Sequence, residues 1–156
     1  MRVMDRIMKL IPLGSVFETP SGRSRFRVEK VGLDGVVVRV GAGWFIRIPA
    51  ECWEGIPDFL RGRGWVLIGA THGKPPSGSF DEYLQRFTHG TSAVSYVVPI
   101  LEKIGLVQVD RKRPQKIRLV SEEDFLRMHG DEKFCPNCDA SIPVSSRFCP
   151  YCGVKL

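Results

Sequence analysis

Ser79-Phe80-Asp81-Glu82-Tyr83-Leu84 opens the stretch that decides the fold, and Lys116-Ile117-Arg118-Leu119-Val120 closes it. Ser79 followed three residues later by Glu82 is a capping box at a helix start. Phe80, Tyr83, Leu84 and Phe87 then share one face of a short helix. Thr88-His89-Gly90 breaks it, and Thr91 or Ser92 can cap a second helix. In that helix Val94, Val97, Val98, Leu101 and Ile104 recur at helical spacing, and Gly105 supplies the stop. Pro99 falls inside, where it removes a backbone hydrogen bond and is expected to bend the helix. Beyond Gly105 the period becomes alternating. Leu106-Val107-Gln108-Val109 reads as a strand, with Lys116 to Val120 as its partner. Between them the turn Asp110-Arg111-Lys112-Arg113-Pro114-Gln115 is loaded with positive charge.

Helix, turn, helix and a hairpin with a basic tip resembles the winged helix-turn-helix of small prokaryotic regulators, archaeal ones foremost. Their recognition helix often ends in a run similar to Leu101-Glu102-Lys103-Ile104-Gly105-Leu106-Val107. The resemblance implies that Ser92, Ser95, Tyr96 and Pro99 lie toward the groove-facing side of the helix. It also implies that Lys103, Lys116 and the wing residues Arg111, Lys112 and Arg113 reach nucleic-acid phosphates or the minor groove. The alternative is a winged helix used for protein contact, with its charged tip solvated. The exposed helix positions carry no Arg, Asn or Gln, so binding is expected to rest on backbone charge or shape more than on base reading.

Upstream, residues from about Val16 to Ala70 read mainly as β. Arg25, Arg27 and Glu29 alternate with Phe26 and Val28, the pattern of a half-buried strand. Gly32-Leu33-Asp34-Gly35 is a hairpin turn into Val36 to Val40, and Gly41-Ala42-Gly43 turns again into Trp44 to Ile48. A short helix, interrupted near Pro57, is expected from Ala50 to Leu60, and Trp65 to Ile68 returns as a last strand. This part predicts a small antiparallel sheet or partial barrel with one helix. Arg23, Arg25, Arg27, Arg39 and Arg47, near Trp44 and Phe45, suit a nucleic-acid surface of charge plus stacking. A solvated sheet face with the aromatics in the core is the competing reading.

Downstream, Cys135-Pro136-Asn137-Cys138 is separated by ten residues from Cys149-Pro150-Tyr151-Cys152-Gly153. Each Cys-x-x-Cys lets two thiolates from one tight turn reach the same ion, and two such turns supply the four sulfurs of a closed tetrahedral zinc site. Gly153 follows the second pair and Asp139 the first, both residue types that accept a positive φ. The segment is too short to bury a core of its own, so metal binding is its folding energy. Disulfides or a redox-active pair are the alternatives. The first are disfavoured in a chain that reads as cytosolic, the second because two matched pairs point to metal. With Phe134 and Phe148 before the two pairs, the segment resembles the small zinc-ribbon modules at the ends of prokaryotic proteins. One structural Zn²⁺ held by Cys135, Cys138, Cys149 and Cys152 is expected. Four sulfurs leave no open position for catalysis. Cys52, beside Trp53, is expected to be a buried free thiol.

The chain as a whole is an α+β, multi-module protein by this reading. A mainly β domain spans 1–73, a linker 74–78, the winged helix-turn-helix 79–121, an acidic linker 122–132 and the zinc ribbon 133–156. The 156 residues carry 23 Lys+Arg, 17 Asp+Glu and 43% hydrophobic residues, which excludes wholesale disorder. The excess charge lies in two segments, Arg23 to Arg47 and Lys103 to Arg118, whereas four thiolates and one Zn²⁺ make the ribbon net negative. Asn137 is the only Asn, a composition that fits a thermophile. No apolar run is long enough for a membrane span, and the amino terminus lacks a signal-peptide core, so a cytoplasmic location and no membrane partner are expected. His72, His89 and His129 are widely spaced and no catalytic constellation assembles, so the chain is expected not to be an enzyme.

The expectation is a transcription-related DNA-binding protein, with DNA favoured over RNA. An RNA- or ribosome-associated factor and a protein adaptor, the latter using the ribbon or the winged helix, are the alternatives.

Overall fold

The computed structural model describes residues 2–69, 74–120, 132–143 and 146–156. The chain divides into two compact units, Arg2–Leu119 and Val120–Leu156. Both are mixed with or built on antiparallel sheets. Most of the expected acidic linker lies outside the described residues, as do His72 and His129.

The first unit begins with α1 (Val3–Leu10), which the sequence reading did not anticipate. Val3, Met4 and Ile7, with Ile11 beyond the helix, form its buried face. Its N-cap, Arg2, makes no side-chain cap bond. Instead the Glu54 carboxylate accepts from the backbone N–H groups of Val3 (3.1 Å) and Met4 (2.9 Å). An anionic group there satisfies two orphan donors and complements the helix dipole. Glu54→Ala is therefore expected to lower stability by about 1–2 kcal/mol, the usual worth of a lost cap, and Glu54→Gln by less. Urea unfolding midpoints of the two variants check this order.

Strands β1 (Val16–Glu18), β2 (Arg25–Gly32), β3 (Gly35–Val40) and β4 (Trp44–Pro49) form an antiparallel meander in chain order. Phe26, Val28, Val36, Val38 and Ile48 line its buried face. The helix α2 (Ala50–Leu60) follows directly and runs on through Pro57 without the expected interruption, because Cys52, Trp53, Ile56 and Leu60 are buried along one side. The Trp53 indole N–H donates to the Ile48 carbonyl at 3.3 Å, satisfying the one polar atom of a large buried ring. Cys52 is a buried free cysteine, and burial pushes its thiol up to about 12.

The expected last strand of the β module goes elsewhere. As β5 (Val66–Leu67) it pairs with β7 (Lys116–Leu119), which pairs in turn with β6 (Val107–Asp110). Between β5 and β6 lie α3 (Phe80–Gln85) and α4 (Val94–Lys103). The Ser79 hydroxyl accepts from the Glu82 N–H (3.2 Å), as the capping box predicts, and the Glu82 carboxylate accepts from the Gly78 N–H (3.0 Å). Neither Thr91 nor Ser92 caps α4. Ala93 occupies that position, and the Ser92 hydroxyl donates to the buried Asp81 at 3.1 Å.

One core runs from Val3 to Ile117 and includes residues on both sides of the segment 74–78. Phe59 of α2 stacks on Tyr83 of α3 at 4.6 Å, and Phe80 and Phe87 lie against the same ring. The Tyr83 hydroxyl donates to the Cys52 carbonyl at 2.8 Å. These contacts tie the expected β module and the expected helix–hairpin module into one unit.

The second unit contains β8 (Glu132–Phe134) and β9 (Ser141–Pro143), an antiparallel pair, and a core of Cys135, Ile142 and Cys149. No helix among the described residues is long and apolar enough to cross a membrane.

Candidate metal centre and basic surfaces

Each Cys-x-x-Cys turn of the second unit is held by the same two backbone bonds. The Cys135 N–H donates to Ala140 (2.9 Å) and Asp139 to Cys135 (2.8 Å); Cys149 donates to Val154 (2.9 Å) and Gly153 to Cys149 (2.9 Å). Asp139 (φ 62°) and Gly153 (φ 77°) both adopt the left-handed conformation their residue types predict. The strand pairing repeats too, with Phe134 opposite Ser141 and Phe148 opposite Lys155. Two near-copies of one turn thus present their thiols to a common centre.

The four sulfurs lie within 4.8 Å of one another, with Cys135 to Cys152 at 3.6 Å and Cys138 to Cys149 at 3.4 Å. A tetrahedron with Zn–S of about 2.3 Å places its sulfurs about 3.8 Å apart. A disulfide needs about 2 Å, and all four cysteines are free. Asn137 and Cys138 direct their backbone N–H groups at the Cys135 sulfur, at 3.4 and 3.5 Å. The Asn137 side chain and the Val154 N–H bring Cys152 down to about 6. Cys138 feels the Ala140 N–H, which lowers it, yet burial and the three neighbouring thiols carry it up to about 12. A divalent cation at the centre favours the thiolate form of all four sulfurs. The donor set fits one structural zinc.

The residues assigned by resemblance to nucleic-acid contact are placed unevenly. Lys112 and Arg113 stand exposed at the hairpin tip, and Lys103 is exposed at the end of α4. Arg111 is also exposed but makes a two-point pair with Glu102, at 2.8 and 3.0 Å, which raises its guanidinium further. Lys116 is half-buried in β7. Ser92 is committed to Asp81. Tyr96, half-buried, meets Phe26 edge-on with ring centres 5.3 Å apart. A cleft of about 580 Å³ has Val98, Pro99 and Lys103 of α4 on one side and Phe17 and Pro20 on the other. The outward side of α4 therefore faces the first sheet, and its Tyr96 belongs to the interior of the unit. Sequence periodicity could not show this, because the occupant of that side comes from residues 17–26.

The first sheet carries the other assigned residues. Arg25 and Arg27 are exposed on its outer face, and the register aligns Val16, Arg27, Arg39 and Phe45 in one row across all four strands. Arg25, Arg27 and Arg47, all exposed, lie 3.5–3.8 Å from Glu18, the half-buried Glu29 and Asp34, pairs of little net worth. Trp44 is 76% exposed and Phe45 63%, so the reading that places these aromatics in the core does not hold. Trp65, exposed just before β5 with the Arg118 guanidinium 4.9 Å above its ring, was not picked out from sequence. An isolated Trp next to a glycine gives no local signal for a partner so far along the chain.

Residues 133–154 match the uncharacterised protein family UPF0547, a match confined to the cysteine-bearing unit. No curated protein and no solved structure matches the chain. The family match and the four-sulfur geometry together make the carboxy-terminal unit a zinc ribbon with one structural metal.

Proposed function

We propose that this is a prokaryotic, cytoplasmic nucleic-acid-binding protein with a transcription-related role, acting by binding rather than catalysis. Its body is a winged helix-turn-helix carrying an added basic sheet, and its zinc ribbon is a structural or partner-binding tail. The winged-helix reading is supported by the element order α2, β5, α3, α4, β6, β7 and by the strand order β5-β7-β6. That order widens the expected module to include α2 and β5.

The observation that carries the binding proposal is the pair Arg27 and Arg39, side by side in register on the outer face of the four-stranded sheet. Arg39 has no carboxylate partner among the described residues and Arg27 only a weak pair with Glu29 at 3.8 Å, so both guanidinium groups can turn to phosphate. The wing adds Lys112 and Arg113, which form no ion pair among the described residues. Duplex DNA is the first reading, held through phosphate by wing and sheet, with little base reading by α4. The packing of Tyr96 on Phe26 favours a second reading. In it, α4 serves the protein's own interior and the basic surfaces bind RNA.

A double variant, Lys112→Ala with Arg113→Ala, is expected to weaken duplex binding uniformly across sequences and to reduce the salt slope by about 2, one per phosphate contact. Fluorescence anisotropy with duplex DNA and with an RNA hairpin, each across a salt series, measures this and ranks the two readings. An unchanged slope would remove the wing from the interface.

A further inference from the structure

We infer that the edge of the first sheet around Trp44 and Phe45 is a stacking site for unpaired bases of a single-stranded nucleic acid. The inference rests on the nucleic-acid reading and names the form of the polymer that this surface takes. Two large aromatic side chains in succession, 76% and 63% exposed, leave apolar surface in water that the fold has no use for. They lie on β4, the last strand of the sheet, where alternation sends consecutive side chains to opposite faces. One ring therefore stands on each side of an edge strand that pairs only with β3 among the described residues.

On the outer face, Phe45 is level with Arg39, and Arg39 with Arg27. Arg39 has no carboxylate partner among the described residues, and it occupies the position across from Phe45. Arg47 follows on the same strand, and its exposed pair with Asp34 at 3.5 Å is readily exchanged for phosphate. Beside the edge is a cleft of about 680 Å³, with Trp44 and Phe45 on one side and Phe87 and His89 on the other. That volume is in the range of small-ligand pockets and admits a flat heterocycle.

An exposed Phe45 ring with Arg39 across from it and Arg47 two residues on, and Trp44 at the same strand end, matches the alternation of base and phosphate along a single strand. A duplex offers no free base faces to rings standing on a sheet. An apolar peptide would cover the rings but leave Arg39 without a counter-charge.

The test uses the full zinc-loaded chain and fluorescein-labelled oligo-uridine RNA, oligo-thymidine DNA and a mixed-sequence duplex. Trp44→Ala and Phe45→Ala, both at exposed positions, are each expected to weaken single-strand binding about tenfold. Duplex binding should stay unchanged, while Trp44→Phe and Phe45→Tyr keep most of the single-strand affinity. Circular dichroism checks that each variant folds. Dependence on the rings with either the RNA or the DNA strand supports the inference. Single-strand affinity that the double alanine variant leaves intact overturns it, as does an equal loss for single strand and duplex. If the wild-type chain binds no nucleic acid at low salt, the broader functional reading falls with it.

Discussion

Removing zinc is expected to unfold the carboxy-terminal unit and leave the unit Arg2–Leu119 folded. The ribbon's buried residues among those described are Cys135, Ile142 and Cys149, with Cys138, Ala140 and Val154 partly covered. So few apolar side chains cannot offset the conformational entropy of ordering the segment. Structural zinc in modules of this kind supplies roughly 10–16 kcal/mol of apparent binding free energy at neutral pH, and here that is the folding energy. Cys135→Ser or Cys149→Ser takes away a buried ligand and should abolish stoichiometric metal binding. Elemental analysis should find one zinc per chain. Thiol titration should find four slow cysteines that become fast with a chelator, while Cys52 reacts only in denaturant. Acid should release the metal, because protons compete for the same four sulfurs. Carefully prepared protein with no zinc and four readily alkylated thiols would contradict the assignment.

The second large effect lies in the hairpin between β2 and β3. Gly35 is buried with φ 139°, a conformation that L side chains rarely adopt. A Cβ there would overlap the Ile48 carbonyl oxygen and lie 2.9 Å from the Pro49 Cα and 3.1 Å from the Ala50 nitrogen. Those atoms belong to the end of β4 and the start of α2, where the Ala50 N–H donates to the Asp34 carbonyl at 2.9 Å. Sheet and helix meet at this point, and the nearest atoms are all backbone, which cannot yield as a flexible side chain could. Gly35→Ala is expected to cost about 3 kcal/mol or more, combining backbone strain with overlap. Gly22→Ala, with positive φ but open space around it, should cost only about 1 kcal/mol. Urea midpoints of the two variants measure the difference. A Gly35→Ala protein as stable as the wild type would mean that the β3–β4–α2 junction is not packed as described.

The metal centre was the most legible part of the chain, because two Cys-x-x-Cys turns encode a site through local spacing alone. The Ser79 cap, the β2–β3 and β3–β4 turns and the alternating strands were legible for the same reason. What escaped depended on distant partners. Strand β5 is only Val66 and Leu67, and its affiliation is decided by pairing with Ile117 and Lys116. The stretch Lys74 to Gly78 has the composition of a linker, yet Phe59, Phe80 and Tyr83 stack across it. Helix α1 is short and mixed in polarity, and a carboxylate from residue 54 secures its start. Trp44 follows the inward alternation of Ile46 and Ile48 but stands at the strand end, 76% exposed. That exposure decides between the surface and core readings that the local pattern leaves open.

The proposed function predicts a measurable electrostatic signature. The zinc-loaded chain titrated in parallel with duplex DNA, structured RNA and a single strand, across salt concentrations, should give affinities falling linearly in log–log form. The slope counts the phosphates neutralised, and it should shrink when Lys112 and Arg113 or Arg27 and Arg39 are replaced by alanine. No salt-dependent binding to any of the three polymers at low salt would contradict the account and leave a protein adaptor as the reading.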